Sequence, residues 1–122
     1  MSAPTAARLI DANLGVAVAD AEQVALRYER GALILEFIDY RDRPQRVTFD
    51  DVLAFRWQEL DDSSVRDDLT YEVVGSEWLA RQAYLSSVAA GDYAHYMLCF
   101  NTGGVLDLLC RRRKPPAEEA GA

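Results

Sequence analysis

Apolar and polar positions alternate most regularly in "QVALRYERGALILEFIDY", residues 23–40. With Arg30-Gly31 as a two-residue turn, Tyr28 pairs with Leu33, Leu26 with Leu35 and Val24 with Phe37, so all six share one face. The opposite face carries Arg27, Glu29, Ile34 and Glu36, and Arg27 lies diagonally within reach of Glu36. Gly31 supplies the positive φ that such a turn needs, whereas Arg30 is a less natural occupant. One apolar face and one mostly polar face predict an antiparallel sheet with one side to water.

The same reading continues along the chain. "RDRPQ" predicts a turn and "RVTF" a short strand, ended by Asp50-Asp51. In "VLAFRWQEL", Leu53, Phe55 and Trp57 alternate with Ala54, Arg56 and Gln58, which predicts a strand with its aromatic face inward. "DDSSVRDDL" is a polar loop and "TYEVV" another strand. Ser76 is placed to cap the helix "EWLARQAYLSSVAA", about residues 77–90, with Trp78, Leu85 and Val88 or Ala89 as the buried stripe and Leu79 beside it; Gly91 marks its end. Near the start, Thr5 can cap a short helix running to about Asn13, with Leu9 and Ile10 as its contacts and Gly15 as its stop. The expected fold is α+β: a curved, mainly antiparallel sheet of about six or seven strands with one principal helix and a short N-terminal helix. Residues 1–114 read as one domain and 115–122, low in hydrophobic residues, as a flexible tail.

Half of the 122 residues are hydrophobic and 27% are charged, the balance of a globular chain rather than a disordered one. The formal charge of −7 excludes nucleic acid as the main partner, because phosphate neutralisation needs clustered Lys and Arg. "RRRK" at 111–114 has no aromatic platform beside it and reads as a solvated strand end. No stretch approaches the ~18 apolar residues that would span a bilayer, and Asp11 and Asn13 interrupt what would have to be a leader's apolar core. A cytoplasmic location is expected.

Much of the negative charge lies in residues 50–68, where Asp50, Asp51, Glu59, Asp61, Asp62, Asp67 and Asp68 stand against two arginines. As a calcium loop starting at Asp61 the segment fails, since Val65 and Arg66 occupy positions that need an oxygen ligand and a glycine. These seven acids are instead the expected partner-binding residues, a negative patch that would steer a cationic protein. No cofactor or metal is expected.

The only histidine and both cysteines fall in "HYMLCFNTGGVLDLLC", residues 95–110, a hairpin around "NTGG". Two-residue turns at Thr102-Gly103 or Gly103-Gly104 both set His95, Met97 and Cys99 on one face with Leu106, Leu108 and Cys110. Tyr96, Leu98 and Phe100 then join Val105, Asp107 and Leu109 on the other. His95 and Cys99 lie roughly 13 Å apart along a strand and cannot form an ion pair, although one register sets His95 opposite Cys110. Both cysteines read as small buried hydrophobes. Asp107, the one acid within this apolar hairpin, needs a partner, and Tyr96 or Arg111 is expected to serve. The sequence contains no GxSxG, P-loop, GxGxxG or HExxH motif.

Three segments in order, "VTFDDVLAFRWQE", "YEVVGSEWL" and "HYMLCFNTGGVLDLLC", resemble small bacterial families of the immunity-protein type that accompany polymorphic or contact-dependent toxins. The resemblance covers about residues 45–110 and rests on Tyr71, Val73, Ser76, Trp78 and Leu79 leading into a helix, then His95-Tyr96 and a final hairpin. It implies a non-enzymatic protein that neutralises a toxin by direct binding, and no catalytic residues. Charge alone suggests that the toxin domain is basic. The competing expectation is a small enzyme or ligand-binding domain using His95 and Asp107 in a pocket. A third is a subunit acting through homo-oligomerisation.

Overall fold

Arg30 and Gly31 both take left-handed backbone conformations, with φ of 50° and 83°. This is the pair of positive φ values that lets a two-residue turn follow the twist of its strands. It joins β2 (Glu22–Glu29) to β3 (Ala32–Ile38) with Tyr28 opposite Leu33 and Leu26 opposite Leu35, as the alternation requires. The third expected pair does not form. A bulge between Glu22 and Ala25, with Gln23 at φ 53°, shifts the register before Val24 can face Phe37. Arg27 lies 3.9 Å from Glu36 on the wet face.

The computed structural model describes residues 8–12, 14, 15, 17, 18, 20–59, 70–100 and 104–113. The architecture is α+β as expected, with eight strands in two antiparallel sheets and one helix among the described residues, where a single sheet of about six or seven strands was expected. The remaining elements are β1 (Arg8–Asp11), β4 (Pro44–Phe49), β5 (Ala54–Glu59), β6 (Thr70–Val74), α1 (Glu77–Leu85), a 3-10 turn (Ala90–Asp92), β7 (Tyr93–Phe100) and β8 (Gly104–Arg111). One sheet has the order β1-β6-β7-β8-β5 and the other β2-β3-β4. Pro44 opens β4 at a sheet edge, where its missing N–H costs no ladder bond. The expected tail, 115–122, lies outside the described residues.

The core lies between the sheets. Leu33, Leu35, Phe37, Val47 and Phe49 of the smaller sheet meet Ala94, Tyr96, Leu98, Phe100, Leu106, Leu108 and Cys110 of the larger one. Phe37 sits edge-on to Phe100 at 6.3 Å, and Phe49 packs on Tyr96 at 6.2 Å. Each fully buried Leu or Phe in this layer stabilises the fold by roughly 1.5–3 kcal/mol. The other face of β7 and β8 is covered by α1, so the two central strands are buried on both sides.

Three local expectations are corrected. Residues 8–11 form a strand, not a helix, with Leu9 opposite Val73 and Ile10 opposite Glu72; Thr5 and Asn13 lie outside the described residues. A two-turn helix is too short to nucleate alone, whereas the free edge of β6 offers a ready ladder. The principal helix ends at Leu85, five residues early. Ser87 takes φ 57°, its N–H donates to the Tyr84 carbonyl and that of Val88 to the Ala83 carbonyl, a complete Schellman stop. Leu85 is therefore exposed, and Ala83 is the one buried residue of α1.

The third correction concerns the last hairpin. Phe100 stands opposite Gly104, so three residues rather than two separate the paired strands. A shift of one residue sends every side chain of one strand to the other face. His95, Met97 and Cys99 thus share their face with Val105, Asp107 and Leu109, while Leu106, Leu108 and Cys110 join the inter-sheet core. His95 lies opposite Leu109, and Cys110 opposite Ala94.

Candidate functional site

Ser76 begins α1 directly after β6. Gly75, at φ 81°, turns the chain, and the Ser76 hydroxyl oxygen accepts the Leu79 N–H at 3.1 Å. This satisfies one of the orphan donors of the first turn, as expected of a serine at the N-cap. The same hydroxyl lies 2.8 Å from Nδ1 of His95. On the far side of the ring, Nε2 of His95 is 2.7 Å from Oδ1 of Asp107. Arg56 of β5 approaches the second oxygen of Asp107 at 3.5 Å and lies over the Trp78 ring, its guanidinium carbon 4.6 Å from the centroid. Trp78 in turn meets the His95 ring edge-on at 5.2 Å.

The roles of the two ring nitrogens are assigned from their partners. With Asp107 ionised and the imidazole neutral, His95 donates from Nε2 to Asp107 and presents a lone pair at Nδ1. The Ser76 hydroxyl then donates to Nδ1 and accepts from Leu79. The chain runs Leu79 N–H to Ser76, Ser76 O–H to His95, His95 N–H to Asp107, with Arg56 completing it. His95 and Asp107 are each only 6% exposed, while Ser76 is half-buried.

The sequence alone pairs Asp107 with Tyr96 or Arg111, and neither does so. The Tyr96 hydroxyl points into the other layer and accepts the Arg113 N–H, and burial pushes that phenol up. Arg111 donates to Asp51 at 2.8 Å and to the Tyr93 hydroxyl. Cys99 and Cys110 are both buried, as expected, and desolvation pushes the Cys110 thiol up to about 12. Ser76 and Trp78 were missed as partners of His95, and Arg56 as a partner of Asp107. Ser76 was legible only as a helix cap, and its second role depends on the register of the hairpin.

A second feature is the outer edge of the larger sheet. Among the described residues β5 pairs with β8 alone, and Phe55 and Trp57 remain 39% and 38% exposed although they point toward the inter-sheet layer. Tyr28 stacks on Phe55 at 5.6 Å, and Trp57 tilts against Phe100 at the same distance. The Trp57 ring lies across Gly104, where any Cβ would collide with it. The result is a row of part-exposed aromatic rings along an edge strand. Alternation predicted the face, but not that the strand would be last in its sheet.

The acidic residues are not gathered into one patch among the described residues. Asp50 and Asp51 precede β5 and Glu59 ends it, with the whole strand, roughly 17 Å long, between them. Asp51 is engaged with Arg111, and the Asp50 carbonyl accepts the Arg111 N–H. Asp61, Asp62, Asp67 and Asp68 lie outside the described residues. Arg111 and Arg112 are exposed at the end of β8, as expected of a solvated strand end, yet each is also tied to a partner. Arg112 Nη1 lies 2.9 Å from both carboxylate oxygens of Glu72 and Nη2 donates to the Tyr93 carbonyl. Arg113 donates to the Thr48 carbonyl and covers Phe49, tying the two sheets together.

Comparison with known protein families, characterised proteins and solved structures finds no match. Among the described residues no group of three or more His, Cys, Asp or Glu side chains is arranged to hold a metal ion, and no helix is long and apolar enough to cross a membrane.

Proposed function

We propose that this chain is a binding protein of the immunity type, acting in the cytoplasm to neutralise a toxin by direct contact through the β5 edge. The observation that carries the reading is the exposure of Phe55 and Trp57 on a strand whose outer edge no described strand covers. Aromatic side chains on a rigid element lose little entropy when bound and dominate protein interfaces as anchors. An uncovered edge strand can also extend its ladder into a partner's backbone. Charge supports a basic partner. Glu59 ends the strand, the acidic run Asp61, Asp62, Asp67 and Asp68 follows it in sequence, and the whole chain carries −7. Neutralisation of this kind needs no chemistry, only occupancy.

The test is co-expression of the neighbouring open reading frame at the source locus with and without this protein, scored by growth and by co-purification. Toxicity relieved only by the intact protein is expected. Replacing Phe55 and Trp57 by serine should abolish rescue, with the melting temperature checked separately. Reversal of Asp61, Asp62, Asp67 and Asp68 to lysine should slow association steeply at low salt. A neighbour that is harmless, or whose toxicity this protein does not relieve, would overturn the proposal.

A further inference from the structure

We infer that Ser76 is an activated nucleophile, with His95 as its base and Asp107 orienting that base, in a site that takes small neutral carboxylic esters. The inference is independent of the docking reading, since α1 and the polar chain lie on the face of the larger sheet opposite the inter-sheet layer.

Four observations converge. Asp107 fixes His95 with its proton on Nε2, so the lone pair at Nδ1 is aimed at the Ser76 hydroxyl 2.8 Å away. Exposure falls along the chain in the order that acyl transfer needs. Ser76 is half-buried and beside exposed Gly75, which has no side chain to block approach, while His95 and Asp107 are sealed beneath Trp78 and Arg56. A helix cap requires only an acceptor oxygen, and Leu79 already supplies its donor; committing the hydroxyl proton to a buried imidazole goes beyond capping. Finally, Glu77 and Trp78 are the first two residues of α1, and backbone N–H groups there have no intrahelical acceptor. They are donors for an oxyanion forming beside Ser76.

The Ser76 oxygen forms a bond to the ester carbonyl carbon while its proton passes to Nδ1 of His95, and the carbonyl π pair moves onto oxygen. The pair returns, the bond to the alkoxide breaks, and the alkoxide takes the proton from Nδ1. Water repeats the sequence, releasing the acid and restoring Ser76. Trp78, packed edge-on to His95, offers an apolar surface beside Ser76, and the exposed Glu77 next to it disfavours anionic substrates.

The test uses diethyl p-nitrophenyl phosphate, which traps such a serine by losing p-nitrophenolate, and p-nitrophenyl acetate for turnover. The intact chain should release one equivalent of p-nitrophenolate from the phosphate, with the diethylphosphoryl group mapped to Ser76 by mass spectrometry. Ser76→Ala should abolish the adduct and the acetate turnover. His95→Gln should slow both by about 100-fold or more, the scale of general-base assistance. Asp107→Asn should lower the rate and alter its pH profile, as a positioning residue would. No adduct, an adduct elsewhere, or labelling of Ser76 at an unchanged rate in folded His95→Gln would overturn the inference. The mapping on the unmodified chain decides the matter even if a variant fails to fold.

Discussion

His95 and Asp107 face each other across 2.7 Å because Phe100 pairs with Gly104. Moving the pairing by one residue would put them on opposite faces of the sheet. The contact is thus a product of strand register and not of either residue's own preference. Both groups are buried and each satisfies the other, with Ser76 and Arg56 completing the chain.

Asp107→Ala should cost about 3 kcal/mol of stability in urea unfolding. It leaves the His95 N–H without an acceptor in a buried site, and deprives Arg56 of its carboxylate. Asp107→Asn keeps an acceptor oxygen and should lose only about half as much. Equal stability of all three proteins would show that the network contributes nothing to folding.

Gly104→Ala should destabilise the fold by roughly 1–3 kcal/mol through overpacking, because the new methyl occupies the space of the Trp57 ring. In a Trp78→Phe background, the emission of Trp57 should move to the red as the ring is pushed into water. An unshifted spectrum with unchanged stability would mean that the ring is not held against this glycine.

Stability should decline in alkali through Cys110. Burial raises its folded value to about 12, while an unfolded thiol ionises near about 8.5. The folded chain therefore retains a proton that the unfolded chain releases, and stability falls as pH rises between these two values. The slope should be about 1.4 kcal/mol per pH unit once the unfolded thiol is ionised. Urea titrations at pH 8, 9 and 10 should show this decline in the parent chain and a shallower one in Cys110→Ala. Matching slopes would remove Cys110 as the cause. The raised Tyr96 phenol acts in the same direction, but only above about pH 10.

Much of the fold was legible where two signals agreed. Leu26, Tyr28, Leu33 and Leu35 declared both their face and their partners, because the alternation and the Arg30-Gly31 turn require the same register. Ser76 was legible as a cap for the same reason, with a strand before it and an amphipathic run after it. Leu9 and Ile10 misled, since adjacent apolar residues suit either a helix turn or an edge strand, and only the free edge of β6 decides. Leu85 also misled. Its spacing fits a buried stripe, but Ser86 and Ser87 close the helix first. Asp107 was legible as a residue in need of a partner. Which partner depended on whether two or three residues join β7 to β8, and "NTGG" accommodates either.

Strand order also imposes a schedule on folding as the chain leaves the ribosome. β2, β3 and β4 are consecutive neighbours and can pair as soon as they emerge. β5 must wait for β8, about 50 residues later, and β1 for β6, more than 60 later. The strands that hold the larger sheet together, β7 and β8, are the last to be made, after β6 and β5, to which they pair. Until then the smaller sheet stands with its apolar face uncovered, a half-built layer open to chaperones, to aggregation or to a mistaken neighbour.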